Sequence, residues 1–298
     1  MRLCPNCRNE LRAPGVSCEA CGWEPQQHDG IPVYLSNSDQ SDSSFVDYVS
    51  NYKNLSEADL QQEIVDGAYL NNQAAKLITY LGADGYASIL EVGVGQGFLL
   101  RKLKEKYDSA NITAVDISIP FLKYVKSTVD VECLAANAEN LPFKEEFDLV
   151  VASDILEHVI NPIDFLLSVN IALKPDGLMA LRVPFEDNML QYSKLLGCKY
   201  KFAHLRNFSK RNLSLILNQA GFQIERIHYD GYYFYRRRSP FKEGIGKRKL
   251  AALLKKYYPS ESDVSKIPNW IGRAVMKPLE IVVIARKRRT ITSMNDAS

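Results

Sequence analysis

A glycine-rich turn directly after a short apolar run is the feature that most restricts how this chain can fold. Residues 89–92 read Ile-Leu-Glu-Val, a run too short for a helix, and Gly93, Gly95 and Gly97 follow at alternate positions. Apolar residues at helical spacing resume at Leu99, so the pattern predicts a strand, a turn and a helix. Because glycine tolerates positive φ and the helix presents its positive end, such a turn is typical of a nucleotide-binding element in an α/β fold.

Two acidic residues stand where a nucleotide ligand would need them. Asp116 ends a second β-prone run about twenty residues after the glycines, where a carboxylate accepts hydrogen bonds from both ribose hydroxyls. Glu91 precedes the turn at the carboxyl end of the first strand, where a cationic group would be stabilised. The dinucleotide fingerprint requires glycine where Phe98 stands, which disfavours NAD.

The segment Glu91-Val-Gly93-Val-Gly95-Gln-Gly97 matches the motif E/D-x-G-x-G-x-G, and in this respect the sequence resembles the class I S-adenosylmethionine-dependent methyltransferases. The resemblance extends over residues 70–287 and implies an α/β, Rossmann-like fold. The expected sheet is seven-stranded and mostly parallel, with helices on both faces. The resemblance further implies that S-adenosyl-L-methionine is the cofactor, held by Glu91, the three glycines, Asp116 and the adjacent Ile117.

Two later segments continue the resemblance. Asn137, Ala138 and Glu139 occupy the place of the family's segment that lies against adenine, and Glu139 is expected to accept a hydrogen bond from the adenine amino group. Residues 147–153 look like the fourth strand, whose last residue, Ser153, is expected beside the cofactor. Residues 173–183 are predicted to form a helix end, a turn and a fifth strand, and two late strands are predicted at residues 223–228 and 281–285.

Two C-x-x-C pairs near the N-terminus, separated by ten residues, predict a metal site. The four residues are Cys4, Cys7, Cys18 and Cys21. Four thiolates at this spacing favour structural zinc, and so small a segment lacks the apolar content to fold without a metal. Disulfides are disfavoured because the N-terminus shows no secretion signal, and catalytic zinc because four cysteines leave no open coordination position. Several methyltransferases with different substrates carry a similar ribbon, so the ribbon does not choose the substrate.

The chain is predicted to contain a small N-terminal unit and one large domain. Residues 29–35 are expected to form a strand that packs on the cysteine ribbon, and residues 36–44, rich in Ser and Asp, a linker. Tyr48 and Tyr52 either cover the cofactor as part of a lid or pack the underside of that lid. The predicted divisions are a zinc ribbon at 1–35, a linker and lid at 36–68, a methyltransferase domain at 69–290 with insertions at about 186–208 and 232–278, and a tail at 291–298.

His158 is the candidate catalytic residue because it follows the fourth strand, where the substrate is expected. Its neutral pKa range suits a general base for a hydroxyl acceptor, and a purely structural role is the alternative. Asp154, Glu157 and His158 would share one face of a helix and nearly match an E-x-x-E-H arrangement that binds a divalent metal in some quinone and RNA methyltransferases. His204 would then be a remote fourth ligand. In a third alternative Asp154 only caps this helix.

His204 also belongs to a motif of its own. Residues 204–209 resemble the H-x-R-x-F-[ST] segment of family members that act on glycans and small molecules. His204, as a second candidate catalytic residue, and Arg206 either meet an anionic group of the substrate or tie the loop to the sheet. Ser209 is expected to cap a helix over residues 210–220.

Positive charge is concentrated late in the chain. Residues 236–256 contain nine Lys or Arg and one acidic residue, whereas the net charge of all 298 residues is only +2. This stretch is interpreted as a helix that packs a substrate lid, as a patch for phosphate or anionic lipid, or as an RNA surface.

The residues together predict an enzyme that methylates an anionic small molecule or glycan, for which a nucleotide-linked or lipid-linked sugar is a candidate. An RNA (rRNA) methyltransferase and a non-catalytic binding module are the rivals. The D/N-P-P-Y/F motif of amino-group methylation on bases is absent after Ser153, which disfavours the RNA reading. No apolar run approaches the roughly twenty residues needed to cross a bilayer. A cytoplasmic protein is therefore expected. Peripheral attachment to the inner membrane through the basic stretch is the alternative.

Overall fold

The structure is a computed structural model, and it describes residues 1–62, 67–82, 85–186, 204–231, 253, 256–257, 270–271 and 278–289. Most of the two predicted insertions, almost all of the basic stretch 236–256 and the predicted tail lie outside the described residues.

Strands and helices alternate along most of the described chain, as the sequence pattern predicts. The strands are β1 (Gln26–His28), β2 (Ile31–Tyr34), β3 (Ser88–Val92), β4 (Asn111–Asp116), β5 (Glu132–Ala136), β6 (Phe147–Ser153), β7 (Leu173–Pro184), β8 (Phe222–Asp230) and β9 (Glu280–Lys287). The α-helices are α1 (Asn37–Ser41), α2 (Ser43–Gln62), α3 (Gly67–Tyr80), α4 (Phe98–Lys106), α5 (Ile119–Thr128), α6 (Pro162–Ala172) and α7 (Lys210–Gln219). A 3-10 turn spans Ala138–Asn140.

One sheet organises the described residues, with strand order β1-β2-β5-β4-β3-β6-β7-β9-β8. The strands from β2 to β7 run parallel, whereas β9 runs antiparallel to both of its neighbours. Val92 pairs with Val115 on one side and with Ala152 on the other, so β3, β4 and β6 end at the same edge. Ligands of open α/β sheets bind at this carboxyl edge, and the functional residues are expected there.

The expected seven strands, from β5 to β8 in the sheet order, are present, but the total of seven is wrong because two more strands extend the sheet beyond β5. The additional strands, β1 and β2, form a hairpin, and β2 pairs with β5 through Val33 opposite Ala135 and Tyr34 opposite Ala136. The strand predicted to pack on the ribbon therefore belongs to the main sheet. Ile31 and Tyr34 are 0% and 3% exposed, so β2 buries side chains on both faces, as a strand inside an α/β sheet must.

Helices cover both faces of the sheet, as expected. Apolar residues of α3, α4 and α5 pack with Ile89 on one face, and residues of α6 and α7 pack with Leu90 on the other. Trp23 of the cysteine-containing segment joins the second of these cores, and its indole N–H donates to the Leu35 carbonyl at 2.9 Å. The N-terminal segment is thus continuous with the core of the sheet.

The segment predicted to be a linker contains a helix. Ser36 begins α1 with a capping box in which its hydroxyl accepts from the Asp39 amide at 3.0 Å and the Asp39 carboxylate accepts from the Ser36 amide at 2.9 Å. The Ser and Asp content that suggested a loop supplies these caps instead. None of the helices in the described part of the chain is long and apolar enough to span a membrane.

Candidate functional site

The loop between β3 and α4 uses its three glycines for different reasons. Gly93 and Gly97 have φ of 77° and 75°, and a Cβ on either would lie 3.0 Å from a side-chain carbon, of Ile155 or of Val125 respectively. Gly95 has a φ of 50°, and no atom lies within 4 Å of the position where its Cβ would be. A ligand can therefore approach the backbone of Gly95 without meeting a side chain.

Asp116, the last residue of β4, is oriented by the backbone. Its Oδ2 accepts from the Gly95 amide at 3.0 Å and its Oδ1 from the Ser118 amide at 2.9 Å. Burial raises the pKa of Asp116, while the backbone amides oppose that rise by stabilising the carboxylate. Each oxygen keeps a lone pair, so the side chain is prepared to accept from ribose hydroxyls.

Glu91 lies below the same loop and is only 2% exposed. Its Oε2 has no hydrogen-bond partner among the described residues. Burial raises the pKa of Glu91 well above its usual range, the charge of Asp116 adds to this rise, and Arg101 opposes it. A buried carboxyl group with an unpartnered oxygen is costly, and a cationic ligand would relieve that cost.

A cavity adjoins the glycine loop at the carboxyl edge of the sheet. Asp116 and Ile117 line it from β4 and the turn after it, and Phe121 lines it from α5. Asn137, Ala138 and Glu139, which follow β5, form the opposite wall. The predicted cofactor residues Gly93 and Gly95 line it as well.

The polar side chains on the β5 side of the cavity support the wall. The side-chain amide of Asn137 donates to the Asp39 carboxylate of α1 at 2.9 Å, and its side-chain oxygen accepts from the backbone amide of Glu139 at 3.0 Å. The carboxylate of Glu139 accepts from the amides of Ile160 and Asn161 at 2.7 and 3.0 Å. Glu139, expected to bind the adenine amino group, thus joins two loops in this structure, with one lone pair left on each oxygen.

The residues around this cavity fit S-adenosylmethionine. Apolar side chains such as Ile117 and Phe121 suit the adenine ring, and Asp116 suits the ribose. The open approach to Gly95 suits the methionine half, which carries a carboxylate and two positive charges, on nitrogen and on sulfur. Glu91 does not line the cavity but lies buried beneath the loop, where its acidic group favours a cation nearby.

The residues after β6 differ from the helix that the sequence predicts. Residues 154–160 form turns, and α6 begins only after Asn161, whose side chain caps it. Asp154 has a φ of 55° and does not cap a helix, because its carboxylate is bound by the guanidinium of Arg182. The hydroxyl of Ser153 donates to Asp154 at 3.2 Å, and Asp154 lines the cavity.

The predicted metal alternative changes accordingly. Ligand atoms of Glu157, His158 and His204 lie within 4.8 Å of one another, so these three residues could hold an ion, whereas Asp154 is turned away toward Arg182. The rings of His158 and His204 meet edge to face with centroids 4.8 Å apart. Tyr52 of α2 contacts the other side of His158, with centroids 5.8 Å apart.

Helix α2 covers the cavity. Tyr48 and Tyr52, together with Phe45, line it, so both tyrosines face the cavity, with Tyr48 buried and Tyr52 half-buried. Burial raises the pKa of Tyr48 and of Tyr52, which makes them hydrogen-bonding and packing groups at neutral pH rather than bases. Phe45 and Phe121 were missed by the sequence reasoning, since an isolated aromatic residue carries no motif.

The loop that follows His204 is anchored to the turn after β6. The Arg206 guanidinium donates to the carbonyls of Ile160 and Leu205, and the Leu205 amide donates to the Glu157 carbonyl at 2.8 Å. Arg206 therefore ties the loop to the turn after β6, a contact of the kind that one of the two alternatives predicted. Ser209 caps α7 through a capping box with Asn212, as expected.

The four predicted metal ligands come together at one point. The Sγ atoms of Cys4 and Cys21 are 3.7 Å apart, and those of Cys7 and Cys18 are 3.5 Å apart. Zinc–sulfur bonds of about 2.3 Å in a tetrahedron place the sulfur atoms about 3.8 Å apart, so the cluster fits zinc. Side-chain amides of Asn6 and Asn9 donate to Cys21 and Cys7 at 3.7 and 3.2 Å, which would stabilise thiolates.

We expect the purified protein to contain one zinc ion per chain, and Cys18→Ser to lose most of it and to lower the midpoint of thermal unfolding. Metal content by mass spectrometry and a thermal melt would measure both. Cys133→Ser is the matched control, because Cys133 is buried in β5 and belongs to no such cluster in the part of the chain that the structure describes. Full zinc content in Cys18→Ser would contradict the expectation.

Comparison with known proteins agrees with this geometry. A family model described as a methyltransferase domain matches residues 67–227, more than half of the chain. A malonyl-[acyl-carrier protein] O-methyltransferase of Haemophilus ducreyi is 28% identical over 160 residues, 51% of this chain and 59% of that protein. A trans-aconitate 2-methyltransferase of an Enterobacter species is 30% identical over 132 residues, 44% of this chain and 51% of that protein. The chain thus spans little more than half the length of these relatives.

Solved structures show the same fold. A chain from the complex between the Trm112 methyltransferase activator and a putative methyltransferase of Haloferax volcanii matches with a TM-score of 0.56 at 11% identity, over 82% of this chain and 98% of that one. A putative methyltransferase of Bacillus halodurans matches with a TM-score of 0.51 at 20% identity, over 72% of this chain and 99% of that one. With the glycine loop, the acidic residues around it and the family match, these findings show that the chain belongs to the methyltransferase-domain family of S-adenosylmethionine-dependent methyltransferases.

Proposed function

We propose that this methyltransferase transfers a methyl group from S-adenosylmethionine to an anionic small molecule or glycan. The observation that carries the proposal is the placement of His158, which lines the cofactor cavity while its ring contacts His204 and Tyr52. Two imidazoles beside the cavity can orient an anionic acceptor or accept a proton from it. The names of two relatives point the same way, because malonyl and trans-aconitate groups both carry carboxylates.

The chemistry needs alignment more than acid or base strength. The cofactor supplies an activated methyl group, and transfer is an in-line displacement in which the acceptor atom must face that carbon. A carboxylate acceptor is already a nucleophile and needs only to be held, whereas a hydroxyl acceptor gains from a base. His158 is 21% exposed, so it is reachable by an acceptor and by solvent. The Nε2 atom of His158 lies 4.0 Å from the carboxyl group of Glu157, whose side chain is fully buried.

His158→Asn is expected to reduce kcat/KM for the acceptor by about 100-fold or more, the size usual for loss of a positioned acid or base. The dissociation constant of S-adenosylhomocysteine should change little, because His158 lies on the acceptor side of the cavity. His28→Asn is the matched control, since His28 is exposed on β1. Transfer of a labelled methyl group, measured against carboxylate and hydroxyl acceptors of small molecules and glycans, gives the values. Equal activity of His158→Asn and the wild type would refute the assignment.

The metal alternative at Glu157, His158 and His204 has its own test. If His158 acts as a base or an orienting cation, dialysis against a chelator that spares the cysteine cluster leaves kcat unchanged. If activity requires added Mg²⁺ or Mn²⁺, and Glu157→Gln abolishes this metal-dependent activity, the three residues bind a metal instead.

An RNA methyltransferase and a non-catalytic module are the competing functions. The cysteine cluster and the basic residues at 236–256 favour RNA, and the same basic residues favour a lipid-linked acceptor and peripheral attachment to a membrane. Methyl incorporation into rRNA, with binding that weakens steeply as salt rises, would support RNA. Cosedimentation with anionic vesicles would support attachment to lipid. If the protein binds the cofactor but transfers a methyl group to none of the acceptors tested, the result would support a non-catalytic binding module.

A further inference from the structure

We infer that the first cysteine knuckle, residues 4–8, is a positioning element of the cofactor site, and that Arg8 transmits the metal occupancy of the cluster to cofactor affinity. The inference rests on the proposed cofactor binding and adds to it. Two chains of hydrogen bonds lead from the knuckle to the β5 side of the cavity, and they reach the cavity wall at different residues.

The first chain passes through Arg8. Its guanidinium donates to the Asn140 side-chain oxygen at 2.6 Å and to the Leu141 carbonyl at 2.9 Å. Asn140 returns a bond, because its amide donates to the Pro5 carbonyl at 2.8 Å. Asn140 belongs to the same 3-10 turn as Ala138 and Glu139, which line the cavity. The turn that lies against the cofactor is therefore held from behind by the knuckle.

The second chain passes through Asn6. Its side-chain amide donates to the Cys21 sulfur at 3.7 Å, and its oxygen accepts from the amide of Asn37, the first residue of α1, at 3.1 Å. Asp39, two residues further, accepts from the side chain of Asn137 at 2.9 Å. Asn137 lines the cavity and begins the same 3-10 turn. Both ends of this short turn thus contact the knuckle that carries two of the four predicted metal ligands.

Arg8 is also tied to a predicted metal ligand through the backbone. Its amide donates to the Cys4 carbonyl at 2.9 Å, so the position of Arg8 follows that of Cys4. Its Nη2 is buried and has no hydrogen-bond partner among the described residues, so the bonds to Asn140 and Leu141 orient the guanidinium. Without the metal, Cys4 would lose its fixed position, and the grip of Arg8 on Asn140 would weaken. Arg8 has a φ of 63°, so the knuckle must hold its backbone in an unfavoured conformation as well.

Binding of S-adenosylhomocysteine to zinc-loaded protein, measured by calorimetry, tests the inference. Arg8→Ala is expected to weaken binding about 10-fold while zinc content stays near the wild-type value, and Arg8→Lys to restore part of the loss. Arg12→Ala is the matched control, because Arg12 is exposed and pairs only with Glu19 inside the ribbon among the described residues. Adenosine should show the same 10-fold loss, since the coupled wall is the one that faces adenine.

A second measurement uses reciprocity. If zinc strengthens cofactor binding, the cofactor strengthens zinc binding by the same factor. S-adenosylhomocysteine should therefore lower the fraction of zinc that a chromogenic chelator takes from the loaded wild type at equilibrium, and should do so much less in Arg8→Ala. This comparison needs only loaded protein, so it stands even if the zinc-free protein unfolds.

The outcomes separate the inference from the proposed function. Wild-type affinity for S-adenosylhomocysteine in Arg8→Ala, or zinc release that is indifferent to the cofactor, overturns the inference and leaves the methyltransferase assignment intact. Absence of zinc from the folded wild type also overturns it. Failure of the zinc-loaded wild type to bind S-adenosylhomocysteine at all overturns both.

Discussion

Asp116→Ala is expected to weaken S-adenosylhomocysteine binding by at least about 100-fold. Hydrogen bonds to a charged group are worth roughly 1.5–3 kcal/mol each, and every 1.4 kcal/mol is a factor of ten in affinity. The substitution removes the acceptor of the ribose hydroxyls and also the anchor of the Gly95 amide. Calorimetric titration of the folded variant measures the loss.

The control for this prediction is an aspartate with similar backbone contacts at the other edge of the sheet. Asp148, at the start of β6, accepts from the amides of Ala87 and Ser88 at 3.1 and 2.9 Å and pairs with Lys174 at 2.9 Å. Asp148→Ala should lower the free energy of unfolding and leave the affinity for S-adenosylhomocysteine within about threefold. Equal losses of affinity in Asp116→Ala and Asp148→Ala would mean that Asp116 stabilises the fold and does not contact the cofactor.

Glu91→Gln is expected to weaken cofactor binding while stabilising the protein in the absence of the cofactor. The buried carboxyl has a raised pKa, so the folded protein keeps a proton that the unfolded chain releases above about pH 4.3. The folded state therefore binds more protons, and the contribution of Glu91 to stability falls as pH rises from that value. Glutamine removes this penalty, and a gain of about 1 kcal/mol at pH 7 is expected, as at other strained active sites.

Chemical denaturation between pH 5 and pH 8 measures this trade-off, and the slope of the free energy of unfolding against pH should be smaller for Glu91→Gln. Affinity for S-adenosylhomocysteine should fall about 10-fold, because the amide no longer neutralises the ammonium group. Adenosine lacks the methionine half and is the matched ligand control, so its affinity should be unchanged. A variant that loses stability at pH 7, or that loses affinity for adenosine equally, would show that Glu91 only supports the loop.

The cofactor loop was predictable because it depends on local backbone geometry. A strand end, a turn with positive φ at Gly93, Gly95 and Gly97, and a helix start all leave their mark in consecutive residues. The carboxylate of Asp116 was predictable for a related reason, since parallel strands joined by helices end at one edge and the spacing from the glycines sets the next strand end. The clustering of the four cysteines follows from ligand spacing alone.

The acceptor side was predicted less well because it depends on contacts between distant segments. Sequence spacing grouped Asp154 with Glu157 and His158 on a helix, but Arg182 from β7 binds Asp154 and the segment forms turns. His204 approaches His158 only because the chain returns to the carboxyl edge after β7. No local sequence pattern predicts whether the buried Arg182 will pair with Asp154 or with Glu157.

By itself, the sequence determined the α/β class, the glycine loop after β3, the acidic residues beside it and the cysteine cluster, because each is encoded in short stretches whose spacing reflects local geometry. Only the tertiary structure decided that the hairpin after the cysteines extends the main sheet. It also decided that the knuckle around Arg8 supports the cavity wall and that His158 meets His204 and Tyr52. Those arrangements arise from burial and hydrogen bonding between segments that lie far apart in the sequence, or from pairing at one exposed edge of the sheet, and neither leaves a periodic pattern in the chain.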